Sequence, residues 1–518
     1  MNPLSALKKE YSLSPESSLL LFLAFLKLTF HIGVNALSSY GYFRDEFYYL
    51  ACSEHLAWGY VDQPPFSIAV LAFSRTILGD SLVALRLLPA VAGATTVYLG
   101  GLIARELGGR KFAQGLAAGA VFAAPILLAM NSVYSMNSFD FVVWTTVAYL
   151  LLRILKTGNP GLWIVLGIVS GLGLMNKISV AWLGLGIFAG FLFTPYRPLL
   201  KTRWPWFAGA VALTMFLPYV LWNIANDFAH LEFIRNATEE KYSSLTPVRF
   251  VVDQILLQNP VSLPIWLGGL WFFFFSTAGK QFRHLGIIYL TAFVVLVANQ
   301  HSKAEYLAPA YPMIFAGGSV WIEQLVSSRS FAWKTATVTL LATSGIILTP
   351  LASPVLPVES YVAYSDFLGM KPHTAENKQL AELPQFYADM FGWEELTATV
   401  LTVYKSLSHD EQRSCVIYTQ NYGEAGSISF LGKSFGLPPV VSGHNNYYLW
   451  GPGRDSVAVV IIIGGDIDDH RMGFAFVEEA ARAYCRYCMP YENNLPIYVA
   501  RGLKHSLEEV WAQTKHYD

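Results

Sequence analysis

A chain of 518 residues with only 14% charged and 54% hydrophobic residues, and a mean hydropathy of +0.40, falls well short of the ~25% charge usual in soluble domains. That excludes a water-soluble globule over most of its length. A net charge of −1 gives no basic field for nucleic acid, and Cys52, Cys415, Cys485 and Cys488 are too few for a disulfide scaffold.

The first apolar stretch, 19–37, follows Lys8 and Lys9. It is longer than a signal-peptide core and lacks a clear small-residue cleavage site, so it is expected to stay as a first span. A hydrocarbon core of about 30 Å needs ~20 apolar residues in helix, which predicts about eleven spans. They fall at 19–39, 82–104, 112–131, 139–155, 161–175, 178–194, 206–223, 261–278, 285–299, 306–325 and 335–352. The fifth and sixth are short and joined only by Asn176-Lys177, as for two helices that do not fully cross the lipid.

Basic residues set the direction. With Lys8 and Lys9 inside, the connections on that side hold Arg105, Arg110, Lys111, Arg153, Lys156, Arg197, Lys201, Arg203, Lys280, Arg283, Arg329 and Lys334. The longer connections opposite hold only Arg44, Arg75, Lys177, Arg235, Lys241, Arg249 and Lys303. Residues 1–352 are thus expected to form a transmembrane domain and 353–518 an extracytoplasmic one, opened by Pro350, Pro354 and Pro357. In the latter, Val416–Thr419 and Val457–Ile463 read as strands and Phe474–Tyr487 as an amphipathic helix, a small soluble α/β domain.

Carboxylates gather in the outer connections. The first runs Tyr42-Phe43-Arg44-Asp45-Glu46-Phe47-Tyr48-Tyr49 and Gly59-Tyr60-Val61-Asp62-Gln63-Pro64-Pro65, and the second carries Asp140. Ionisable groups beside apolar spans are costly and usually mark a pathway or a site. Transfer of a sugar from a phosphate leaving group needs a carboxylate to take the acceptor's proton, cations for the departing phosphate, and a groove for lipid. The outer side offers Asp45, Glu46 and Asp140 for the first task and Lys177, Arg235, Lys241 and Lys303 for the second. No glycine-rich phosphate loop or dinucleotide fingerprint is present, which favours a lipid-linked donor over a nucleotide sugar.

Five segments make the chain similar to GT-C fold glycosyltransferases of the protein O-mannosyltransferase and lipid A aminoarabinose transferase family. They are Arg44–Tyr49, Gly59–Pro65, Arg86-Leu87-Leu88-Pro89, Gly171–Lys177 and Lys303–Pro309. The resemblance implies a polytopic GT-C membrane fold and an inverting transfer from a polyprenyl-phosphate sugar to a glycan, lipid or protein acceptor. The reaction would take place on the outer face of the inner membrane. It makes Asp45 the base, with Glu46 beside it and Asp140 as the second acidic position. Lys177, Arg235, Lys303 and Tyr306 become the donor-phosphate group. Asp62 with His230 becomes a site for a divalent metal cation, with no other cofactor. One departure stands out, since aminoarabinose transferases carry Lys before Pro-Pro where this chain has Gln63; Lys303 or Lys241 could compensate. As a base, Asp45 is expected to face water and not to be locked in a salt bridge. The rival from another class is a lipid-linked sugar transporter or flippase, for which Lys27 and His31 inside the first span are the best sequence evidence. In the C-terminal part, Asn421–Gly426 and Ser442–Pro452 are rich in sugar-binding residue types, while Cys485-Arg486-Tyr487-Cys488 lacks the second ligand pair of a zinc site.

Overall fold

The computed structural model describes residues 15–327, 331–372, 374 and 376–518; Lys8, Lys9 and Arg329, used above for orientation, lie outside the described residues. The chain is mostly helical and divides into two compact units. One holds the chain up to Leu37, Arg86–Leu217 and Ser244–Val355; the other holds Ser38–Leu85, Pro218–Ser243 and Leu356–Asp518. The outer connection 38–85 therefore clusters with the C-terminal segment.

Six helices among the described residues are long and apolar enough to cross a membrane: Ser17–Leu37, Leu82–Glu106, Met136–Thr157, Arg203–Ala225, Lys280–Ala298 and Phe331–Ala352. Four shorter apolar helices, Phe66–Leu78, Gly161–Leu174, Val180–Leu192 and Pro260–Phe275, accompany them. The chain is a multi-pass membrane protein. The apolar run 112–131 is not one helix: Lys111–Ala123 stops and Pro125–Met130 restarts. Ala124, forced out of helical geometry by the proline that follows, sits extended at φ −73°, ψ 118° between them. Met136–Thr157 begins where the Ser135 hydroxyl accepts from Asn137 N and ends on Gly158 in the left-handed region at φ 64°.

Two further stretches depart from the sequence reading. The first outer connection contains helices, Arg44–Glu54 and Phe66–Leu78, where a loop was expected. Asp45 and Glu46 sit in the first turn of Arg44–Glu54, where negative charge favours a helix N-terminus, and a Glu46 carboxylate oxygen accepts from Phe43 N at 2.8 Å. Phe474–Tyr487, expected as a helix, is instead strand β4, Phe474–Ala483. Its Ala and Glu residues favour helix intrinsically, yet pairing with a neighbouring strand satisfies both backbones and overrides that preference.

The other strands are β1 Cys415–Thr419, β2 Val440–Ser442, β3 Val459–Ile463 and β5 Leu495–Leu503, in the order β2-β1-β3-β5-β4. β2, β1 and β3 run parallel, with Ile417 opposite Val440 and Ile461; β5 is antiparallel to β3 and to β4. The almost wholly apolar β3 suits a central strand covered on both faces. At the end of β1 the chain turns through Gln420 and Asn421 into the helix Tyr422–Gly432. The Asn421 side chain caps that helix, accepting from Gly423 N at 2.9 Å and Glu424 N at 3.0 Å.

Candidate active site

The C-terminal end of a parallel strand is where α/β sheets commonly place functional groups, and Tyr422 stands just past the end of β1. Its helix lies close against Arg44–Glu54. A Cβ at Gly423 would come within 2.4 Å of Arg44 Cγ, and one at Gly426 within 2.8 Å of Phe47 Cβ, so both positions admit only glycine at this separation. Through this contact the Tyr422 hydroxyl donates to Asp45 Oδ1 at 2.9 Å and accepts from Arg44 Nη2 at 3.2 Å. Arg44 Nη1 donates to the Tyr491 hydroxyl at 2.7 Å, while Arg44 Nε lies 3.9 Å from Asp389 Oδ2 and 3.6 Å from Asp45 Oδ1. The Asp45 side chain is 38% exposed, so it reaches water, but contrary to the sequence expectation it also stands in an ion pair, with its neighbour Arg44. Glu46, by contrast, is buried, with its carboxylate spent on the helix start. Burial pushes the Asp389 carboxyl up to about 7 despite Arg44. It also raises the buried carboxyls of Glu424 and Glu492, which share Asn421 Nδ2 at 3.0 Å each.

One turn along, the Tyr48 hydroxyl donates to Asp62 Oδ1 at 3.0 Å, and Val61 N donates to Asn446 Oδ1 at 2.7 Å. Burial lifts the Asp62 carboxyl to about 6. His230 Nδ1 lies 2.9 Å from Val61 O, the carbonyl of the residue preceding Asp62. A carbonyl there favours the Nδ1–H tautomer and leaves Nε2 with its lone pair, the arrangement metal-binding histidines use. Asp62 and His230 therefore fit a divalent cation by donor chemistry. Arg235 is solvent-facing, its side chain 75% exposed and 3.9 Å from Glu239.

Sequence reasoning missed another grouping, His444, His516 and Asp518, whose ligand atoms lie within 4.8 Å of one another. Each imidazole nitrogen already has a backbone partner. Tyr422 N reaches His444 Nδ1 at 3.4 Å, and His444 Nε2 lies 3.0 Å from Asp518 O. His516 Nδ1 and Nε2 face Thr514 O at 2.8 Å and Gln420 O at 3.1 Å. These histidines tie residues 514–518 to the turns after β1 and β2.

The membrane-helix unit holds the other candidates. Asp140, 1% exposed, accepts from the Ser179 hydroxyl at 2.9 Å. In the short connection between Gly161–Leu174 and Val180–Leu192, Lys177 Nζ donates to Asn137 Oδ1 at 2.6 Å and stands 4.6 Å from the centre of the Tyr306 ring. Lys303 and Glu305 complete its charged surroundings. Lys27 is fully buried with Nζ 3.5 Å from Leu127 O, and His31 Nδ1 is 3.4 Å from the Ser132 hydroxyl, so both residues pack inside the helix bundle.

Residues 62–222 match the family model of dolichyl-phosphate-mannose-protein mannosyltransferases. An undecaprenyl phosphate-alpha-4-amino-4-deoxy-L-arabinose arabinosyl transferase of Pseudomonas aeruginosa is 25% identical over 330 residues, 58% of each chain. This chain thus spans somewhat more than half the length of the curated relatives it matches. In structure it resembles ArnT from Cupriavidus metallidurans bound to undecaprenyl phosphate, with TM-score 0.57 and 14% identity over 93% of this chain and 97% of that one. The Archaeoglobus fulgidus oligosaccharyltransferase gives TM-score 0.52 and 12% identity over 88% and 70%. The chain is thus similar to protein mannosyltransferases and aminoarabinose transferases, and its fold is GT-C.

The position before Pro-Pro, where the sequence resemblance would put Lys, holds Gln63. Gln63 is fully buried and neither its Oε1 nor its Nε2 has a hydrogen-bond partner among the described residues. Lys241 lies in the same unit, 6.0 Å from the Tyr422 ring centre, and its charge acts on Asp62. The Asn421–Gly426 motif, read as sugar-binding residue types, has other work here: Asn421 caps the helix and the glycines allow the close approach to Arg44 and Phe47. Tyr491 and Asp389 had no sequence signal, because each acts only once Arg44 is folded against it.

Proposed function

We propose that this chain is an inverting GT-C glycosyltransferase acting on the outer face of the inner membrane. It takes a sugar from a polyprenyl-phosphate donor and moves it to an envelope glycan, lipid or protein acceptor. The observation that carries the reading is Asp45: a partly exposed carboxylate, hydrogen-bonded on one oxygen by Tyr422, in a chain whose fold follows that of a polyprenyl-phosphate-binding protein over nearly its full length. Asp45 takes the proton of the acceptor hydroxyl as its oxygen attacks the anomeric carbon. The bond from that carbon to the phosphate oxygen breaks with inversion, and the electron pair leaves on polyprenyl phosphate. Lys177, Lys303, Arg235 and Tyr306 are the groups assigned to that phosphate, the lysines and arginine through charge-assisted hydrogen bonds. Asp62 and His230 would hold a divalent cation, which would supply positive charge toward phosphate oxygens. Residues 1–352 act as the catalytic membrane domain and 353–518 as the extracytoplasmic domain.

The test uses purified chain in proteoliposomes with two probe donors, polyprenyl-phosphate mannose and undecaprenyl phosphate 4-amino-4-deoxy-L-arabinose. An envelope extract from a strain lacking this chain serves as the acceptor pool. Asp45→Asn should slow labelled-sugar transfer ~100- to 10,000-fold, the usual loss for general-base catalysis, with Glu46→Gln milder. Near-normal transfer by Asp45→Asn would refute the assignment.

A further inference from the structure

A carboxylate beside an arginine has an easy way to stop being a base: it can close onto the guanidinium as an ion pair. Arg44 is the residue next to Asp45, and its Nε is already 3.6 Å from Asp45 Oδ1. What stands between Arg44 Nη2 and that carboxylate is the hydroxyl of Tyr422, brought from the far end of the sequence. We propose that Tyr422 is a positioning residue for the transfer reaction, fixing the Asp45 carboxylate toward the acceptor and keeping it from collapsing onto Arg44. The proposal rests on Asp45 being the base.

The direction of each hydrogen bond follows from what the groups can do. A guanidinium has donors only, so the Tyr422 oxygen accepts from Arg44 Nη2 and its one proton must go to Asp45 Oδ1. Burial pushes the Tyr422 hydroxyl well above its ordinary range, which keeps the proton on the phenol and the donation in place. With Oδ1 so engaged, Oδ2 is left to take the acceptor hydroxyl in a side chain that is 38% exposed.

The surroundings hold this arrangement rigidly. Asn421 caps the helix that carries Tyr422, and Tyr422 N reaches His444 Nδ1. The Tyr422 ring lies 4.8 Å from that of Tyr48, whose own hydroxyl orients Asp62. Arg44 is drawn the other way by the Tyr491 hydroxyl and by its backbone N–H donating to Asp389 O at 2.9 Å. Gly423 leaves room for the Arg44 side chain to pass. A fixed base saves the reorganisation that a mobile one would need in the transition state.

Tyr422→Phe removes the hydroxyl and keeps the ring packing. In the proteoliposome assay with the two probe donors it should lower kcat by about 10-fold or more, the scale of a lost hydrogen bond to a charged group, with donor KM and thermal midpoint little changed. Tyr491→Phe, which frees Arg44 from one side, should lower kcat less. The decisive measurement is the double variant: in an Asp45→Asn background, Tyr422→Phe should cost under about twofold more, because the base it positions is gone. Unchanged kcat in Tyr422→Phe, or the same tenfold loss on top of Asp45→Asn, overturns the proposal. Full turnover by Asp45→Asn alone would overturn the base assignment instead, a different result from either.

Discussion

Asp389 should make the folded protein lose stability as pH rises through neutrality. Its carboxylate is almost completely buried, neither oxygen has a hydrogen-bond partner among the described residues, and the nearest cation, Arg44 Nε, is 3.9 Å away. Burial lifts its pKa from 3.8 to about 7; Asp45, Glu376 and Glu492 push the same way, and Arg44 offsets part of the rise. A raised folded value means that between about pH 4 and 7 the folded state keeps a proton the unfolded chain has released, so stability falls as pH climbs. A difference of about three pH units corresponds to a loss on the order of 4 kcal/mol once the pH is above 7. Asp389→Asn keeps the shape, cannot ionise, and leaves intact the backbone carbonyl that accepts from Arg44 N. Thermal midpoints of the detergent-solubilised full chain, followed by tryptophan fluorescence from pH 4 to 8, should lie closest for the two proteins at pH 4. The gap should widen between about pH 4 and 7 and level off above, with Asp389→Asn the more stable. Parallel curves, or a variant less stable at every pH, would refute the reasoning.

Two further outcomes test the packing and the orientation. Gly426→Ala should destabilise the protein by about 1–3 kcal/mol, since its Cβ would lie 2.8 Å from Phe47 Cβ and 2.9 Å from that residue's backbone; a thermal midpoint at or above that of the parent would contradict it. Alkaline phosphatase fused after Asp518 should be active, as the charge bias of the connections predicts, whereas an active cytoplasmic reporter there would reverse the orientation.

Much of the membrane part was legible because its signal is local. Apolar length needs no knowledge of what packs where, and Val459–Ile463 announces a buried strand by composition alone. Failures occurred where a distant partner decides the outcome. Phe474–Ala483 became a strand because Leu495–Leu503 offered it a ladder, which no window over 474–487 contains. The apolar run 112–131 looked continuous, although Pro125 was a visible breaker given too little weight. At the candidate site, motif resemblance drew attention to Asp45, Asp62 and His230, but the groups around Asp45 come from positions more than 300 residues away in sequence. Glu46, chemically as good a base as its neighbour, is set apart only by its helix: as the third residue its carboxylate turns back to Phe43 N, while Asp45 keeps an exposed side.

The same comparison bears on what the C-terminal segment is for. A glycine- and asparagine-rich stretch such as Asn421–Gly426 invites a sugar-binding reading, and so would make 353–518 an appended recognition module. Its side chains are occupied otherwise: the asparagine holds a helix start, the glycines let that helix touch Arg44 and Phe47, and the tyrosine reaches Asp45. A module that only bound acceptor would tolerate an alanine at 423, since recognition does not need the Arg44 side chain to pass within a van der Waals radius. Glycine there lets the helix approach Arg44 closely enough for Tyr422 to reach Asp45, so these residues are committed to that contact and not to a free recognition surface.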